Sequence, residues 1–156
     1  MKTKMLLFSI MMFFSFFSSA MPIIENGKSS WSIYVPKNSI AADKTAAKEL
    51  QSFLLKASGV KLEITNDAKG TNQILIGTSE AAEKLFPALK TIKWKSDEIM
   101  IVPAGNNLIL TGDSPRGTLY AVYECIVHDG ICPLCELSAA TIETVGIAEH
   151  ADECLL

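Results

Sequence analysis

Residues 1–124 contain no cysteine: the four in the chain are Cys125, Cys132, Cys135 and Cys154. A disulfide framework running through the body of the fold is thereby excluded. Arginine occurs once, at Arg116, and histidine only at His128 and His150. With 14 Lys and Arg against 17 Asp and Glu, the 156-residue chain carries a formal charge of −3. It has no basic excess to offer a phosphate backbone, which argues against a nucleic-acid partner. No His-Glu-x-x-His, Gly-x-Ser-x-Gly or P-loop pattern occurs, so the metalloprotease, serine-hydrolase and nucleotide motifs are missing. There is no internal repeat and, after the first residues, no low-complexity segment. No apolar run reaches the ~20 residues of a membrane-spanning helix.

What is present begins with a leader. Lys2 and Lys4 form a positive start, Leu6–Phe17 is apolar and rich in Phe and Met, and Ser18-Ser19-Ala20 supplies small residues for cleavage. Residues 1–20 therefore read as a secretory signal, which predicts an exported, periplasmic or extracellular protein with no membrane association after cleavage. The residue directly after Ala20 is Met21, not the cysteine that a lipid anchor would require. Loss of Lys2 and Lys4 leaves the remaining chain more acidic. Its length predicts one domain, large enough to bury a core without covalent staples.

Residues 21–30 are polar and irregular, and are expected to be a tether. Trp31–Val35 alternates, with Trp31, Ile33 and Val35 on one side, and predicts a half-buried strand ended by Pro36. Ser39 is a candidate cap for a helix whose apolar stripe is Ala46, Leu50, Phe53, Leu54 and Ala57, stopped by Gly59. Val60–Thr65 predicts a second strand. Gln73–Gly77 is almost continuously apolar and predicts a strand buried on both faces. Thr78 or Ser79 can cap a short helix running to Phe86, with Pro87 as its end. Glu98–Val102 and Asn107–Thr111, joined across Gly105-Asn106, predict a β-hairpin. The order β-α-β-β-α-β-β-α gives an α/β (α+β) fold, a mixed β-sheet with helices packed on it.

The most informative stretch is Gly112–Glu124, Gly-Asp-Ser-Pro-Arg-Gly-Thr-Leu-Tyr-Ala-Val-Tyr-Glu. It follows a strand and offers Asp113 or Ser114 as a cap, with Pro115 at a first helical position. Leu119, Val122, Tyr123 and Ile126 then recur on one helical face, expected to lie on the sheet. Trp31, Tyr34, Tyr120 and Tyr123 sit at strand or helix periodicity and are read as core rather than as sugar-stacking platforms.

These segments carry a resemblance. Ala46–Leu50 closing at Ser58-Gly59-Val60, the Ile74–Gly77 strand, and Leu108–Gly112 leading into Pro115–Glu124 occur in the order found in the N-terminal domain that precedes the catalytic barrel of several secreted glycoside hydrolases. The α-glucuronidase type is the nearer likeness, and domain 2 of β-N-acetylhexosaminidases is more distant. The likeness covers about residues 31–124, and the accessory domain is placed at 31–128. The resemblance implies a zincin-like fold without a metal site, no cofactor and a non-catalytic role, with the catalytic carboxylates on a barrel this chain lacks. The implied partners are that barrel or a glycan. Past Glu124 the likeness fades, and residues 129–156 are read as a cysteine-containing tail of foreign origin: a frameshift, a premature stop or a gene fragment.

Candidate sites are few. Glycoside hydrolysis needs two facing carboxyls, and no motif places such a pair; Asp97, Glu98, Asp113 and Glu124 lie near element ends and read as caps or solvated acids. Arg116 is a candidate for docking against a neighbouring domain, because its planar fork suits bidentate pairing. Cys125, His128, Cys132 and Cys135 have a spacing that could hold zinc. Within it, Cys132-Pro-Leu-Cys135 also fits a redox pair, although such a motif should follow a strand and this one follows a helix; irregular disulfides or chance cysteines in an altered tail are the plainer reading. If the tail binds metal or crosslinks, the alternative function is a stand-alone secreted binding module.

Overall fold

The computed structural model describes residues 22–127. Its elements are β1 (Ser32–Tyr34), α1 (Ala41–Ser58), β2 (Glu63–Thr65), β3 (Gln73–Ile76), α2 (Glu80–Leu85), a 3-10 turn (Pro87–Thr91), β4 (Ile99–Pro103), β5 (Asn107–Gly112) and α3 (Gly117–Val127). The sheet order is β2-β1-β3-β5-β4. The first four of these strands are mutually parallel, and β4 is antiparallel to β5. This is the expected mixed sheet.

Two apolar layers sandwich it. Ile33, Ile74, Ile76, Leu108 and Leu110 point to one face, where they meet Ala46, Ala47, Leu50 and Leu54 of α1 and Ala121, Val122 and Cys125 of α3. Tyr34, Leu75 and Ile109 point to the other, under Ala82 of α2 and Leu89 of the 3-10 turn. The period of two along each strand explains why β3 and β5 read as unbroken apolar runs. It also corrects the reading of β1. That strand is buried along its whole length, because β2 and β3 pair both its edges and an apolar layer covers each face.

Residues 22–30, expected as a tether, are seated on the fold. Ile23 is buried in the larger core, Ile24 packs against it, and Glu25 bridges to Lys28. Helix α1 starts after Ile40 with no side-chain cap. Ser39 is not the cap: its N–H closes a turn onto Pro36 O at 3.0 Å. The helix ends at Gly59, in left-handed conformation, whose N–H reaches Leu55 O. Ser79 caps α2, accepting from Ala82 N–H at 3.1 Å. The hairpin closes on paired bonds between Ala104 and Asn107 (2.8 and 3.2 Å), with Gly105 at φ 58°.

At the β5–α3 junction the expected cap fails. The Ser114–Pro115 bond is cis, and the helix begins only at Gly117. Asp113 acts through its backbone instead. Its N–H donates to Glu98 O (2.8 Å), and its carbonyl accepts from Gly117 N–H (2.6 Å). The buried face of α3 is Gly117, Thr118, Ala121, Val122 and Cys125. Leu119 and Ile126 pack at its margin. Tyr123, placed on the core face by periodicity, is 42% exposed, and Tyr120 is 39% exposed. Neither is a core residue.

The true face of α3 can be checked by equilibrium urea unfolding. Val122→Ala, at a position that is 0% exposed, should cost about 1–3 kcal/mol. Tyr123→Ala should change stability by less than about 0.5 kcal/mol, as exposed substitutions usually do.

Candidate functional site

The junction that the sequence singles out is built on backbone contact. A Cβ on Gly112 would stand 2.4 Å from Glu98 O and 2.7 Å from Gly117 C. A Cβ on Gly117 would stand 2.7 Å from the same Glu98 carbonyl and 2.7 Å from Gly112 C. All of these neighbours are main-chain atoms. Two glycines and one carbonyl therefore set the first turn of α3 directly against the end of β5 and the start of β4. Only residues without a side chain allow that approach.

One residue farther on, Thr118 faces inward and hydrogen-bonds Asp43 in the first turn of α1. The Asp43 carboxyl also lies against Gly77, where a Cβ would stand 2.7 Å from Oδ2. Asp43 is 8% exposed. Burial pushes its carboxyl above its ordinary 3.8, and the Thr118 hydrogen bond partly offsets that rise. Nearby, the Thr78 and Thr111 hydroxyls share a hydrogen bond of 3.2 Å. These residues crown the carboxyl ends of β3 and β5. The sequence did carry a signal for Asp43: it stands at the same helical phase as Ala46, Ala47 and Leu50, so it is an acid on the buried stripe.

Arg116 precedes α3 and points outward. Its Nη2 donates to Asp97 Oδ1 at 3.1 Å and Oδ2 at 3.4 Å. The guanidinium carbon lies 5.9 Å from the Tyr120 ring centroid. Such an exposed pair contributes little to stability, but it fixes the fork beside the ring. Arg116, Tyr120 and Tyr123, spaced i, i+4 and i+7, make one solvent-facing stripe of a helix whose other side is core. Asp97 is thus an ion-pair partner, and Glu98 is a turn group, its Oε2 accepting from Lys95 N–H at 2.7 Å.

Cys125 is buried on the inner side of α3. His128, Cys132 and Cys135 lie outside the described residues, as does the leader. Among the described residues no group of three His, Cys, Asp or Glu is placed to hold a metal ion. No helix among them is long and apolar enough to cross a membrane.

Two outcomes follow from this geometry. Gly112→Ala and Gly117→Ala should each lower stability by about 3 kcal/mol, because a methyl group would meet rigid backbone; urea titration measures it. The sign for Asp43 follows from its raised folded pKa. Folding holds that proton more tightly, so this carboxyl's contribution to stability falls as pH rises from its ordinary value through the raised one. Asp43→Asn lacks the titration. The stability of the native chain relative to this variant should therefore be more favourable at about pH 4 than at about pH 7.

The sequence of residues 24–125 matches the family model described as the glycosyl hydrolase family 67 N-terminus. Among solved structures, a family GH115 4-O-methyl-α-glucuronidase with specificity for decorated arabinogalactans aligns with a TM-score of 0.52 at 19% identity, over 60% of this chain and 12% of that one. A GH138 enzyme targeting pectin rhamnogalacturonan II aligns at a TM-score of 0.41 and 18% identity, over 61% of this chain and 10% of the enzyme. The chain thus spans roughly a tenth of either enzyme's length. No curated protein matches it significantly. The first of these likenesses supports the fold, and the family match, running from the Ile24 anchor to Cys125 at the inner side of α3, shows that the chain belongs to the glycosyl hydrolase family 67 N-terminal family, an accessory domain of glycoside hydrolases.

Proposed function

We propose that this chain is the non-catalytic accessory domain of an exported glycoside hydrolase of the α-glucuronidase type, and that it docks on the catalytic barrel through the outer stripe of α3. The observation that carries this reading is the exposure of Tyr120 and Tyr123 beside Arg116. Two tyrosines and one arginine are the residue types that dominate protein interfaces. They stand on the one helix whose inner side is fixed by the Gly112–Gly117 contact, so the stripe is held at a constant angle to the sheet. Asp97 keeps the guanidinium extended and leaves it able to exchange partners with a carboxylate on the barrel. Export is supported by the lysines, apolar run and small residues of positions 1–20.

Asp43, Asp97 and Glu98 are suited to structural rather than catalytic work. Asp43 is enclosed, Asp97 is ion-paired and Glu98 holds a turn. Under this reading the chain alone turns over no glycoside. A family 67-type catalytic barrel produced without its own N-terminal domain should bind the chain in titration calorimetry. Arg116→Ala combined with Tyr120→Ala and Tyr123→Ala should weaken that binding at least tenfold, as loss of interface anchors does, while the unfolding midpoint stays close to that of the native chain. Unchanged affinity in the triple variant would remove α3 as the docking surface. Measured turnover by the chain alone would overturn the non-catalytic assignment.

A further inference from the structure

The two faces of the sheet are covered unequally. On the side away from α1 and α3, the cover is a six-residue helix and a 3-10 turn. Between α2 and the loop of residues 66–72 lies a groove of about 310 Å³, lined by Tyr34, Gln73, Leu75, Glu80, Lys84 and Leu85 among others.

The wall formed by the loop is preformed. Gln73 Nε2 donates to Asp67 O (3.0 Å) and to Ser32 Oγ (3.3 Å), and its Oε1 accepts from Lys69 N–H (2.7 Å). Asn107 Nδ2 donates to Gly70 O at 2.9 Å. Gln73 therefore holds the wall and has little left for a ligand. Tyr34 differs. It is only 9% exposed, and its hydroxyl makes no hydrogen bond among the described residues. No buried side-chain polar atom there lacks a partner, so this hydroxyl is not fully enclosed, and Tyr34 is one of the residues that line the groove. Opposite, Glu80 and Lys84 stand one turn apart on α2, and neither is in an ion pair among the described residues.

The groove thus offers an apolar wall of the half-buried Ala81 and Leu85 over the nearly enclosed Leu75, together with one hydroxyl, one carboxylate and one ammonium. The two charges cancel. An anionic ligand would face Glu80, and an apolar one would strand the charged rim. A single carboxylate does not make a metal site. A pyranose ring satisfies every part, since it has an apolar C–H face and hydroxyls that both donate and accept. A volume near the lower end of ligand sites, ~300 Å³, suits one ring rather than a long segment. We propose that this groove is a subsite for a single neutral pyranose residue of a glycan. The inference rests on the reading above only in that the parent enzyme meets polysaccharide. The groove and the α3 stripe lie on opposite sides of the sheet, so their tests are separable.

The test is a ¹H–¹⁵N titration of the full chain with methyl glucopyranoside, galactopyranoside and xylopyranoside, and with methyl glucuronopyranoside as the acidic arm. Saturable shifts confined to the amides of Gly70, Leu75, Ala81 and Leu85 are expected with at least one neutral sugar. Tyr34→Phe should weaken that binding about three- to tenfold, the worth of one hydrogen bond, with an unchanged unfolding midpoint. Tyr120→Ala should leave it unaltered, even where barrel docking is lost. Absence of saturable shifts, shifts centred elsewhere, equal affinity in Tyr34→Phe, or more than tenfold preference for the uronide would each overturn the proposal.

Discussion

The structure depends on a contact that contains no side chain. Gly112 and Gly117 touch through their backbones, and both lie under the carbonyl of Glu98. From this point the remaining alignments follow. The close approach puts Thr118 within reach of Asp43, which belongs to α1. Asp43 in turn lies against Gly77 at the end of β3. A chain of short contacts thus links β4, β5, α3, α1 and β3 along one rim of the sheet. The apolar layer beneath supplies the bulk of the driving force, but it is not directional. The rim contacts give the two large helices a defined position above that layer.

The same arrangement divides the surface into two kinds of work. With α1 and α3 side by side on one face, their outer sides present broad, rigid, helical surface. Such a surface suits another folded domain. The thinner cover on the opposite face leaves a recess between α2 and the 66–72 loop. Recesses with pinned walls suit small ligands. The docking and sugar-binding roles proposed above thus fall on opposite sides of one sheet.

Much of the architecture was legible from periodicity. The apolar run of β3 announced burial on both faces, and Gly59 announced the end of α1. The phase of α3 was not legible in the same way. Its inner face is built from Gly117, Thr118, Ala121 and Val122 because the approach to the sheet is close. Small residues carry little weight in a hydrophobic count, whereas Tyr123 carries much and lies outside. Ser39 and the Asp113-Ser114 pair looked like caps for a related reason. Capping residues also serve turns, and in both places the turn took the group before the helix began. Of the site, Arg116 was visible as the sole arginine. Tyr34 was visible only as an aromatic at strand spacing, since a recess is made by elements distant in sequence.

A carboxyl shifted upward by burial at the carboxyl ends of parallel strands is an ordinary mark of an active site. Asp43 has that position and that shift, yet its surroundings argue otherwise. A general acid must reach a substrate atom at hydrogen-bond distance. Here one side of the carboxyl is occupied by the backbone of Gly77 and another by the Thr118 hydroxyl, and the residue is almost enclosed. What remains is a buried acid whose partners are the two elements that most need to be held together. Its raised pKa is then the cost of a tether placed in an apolar rim.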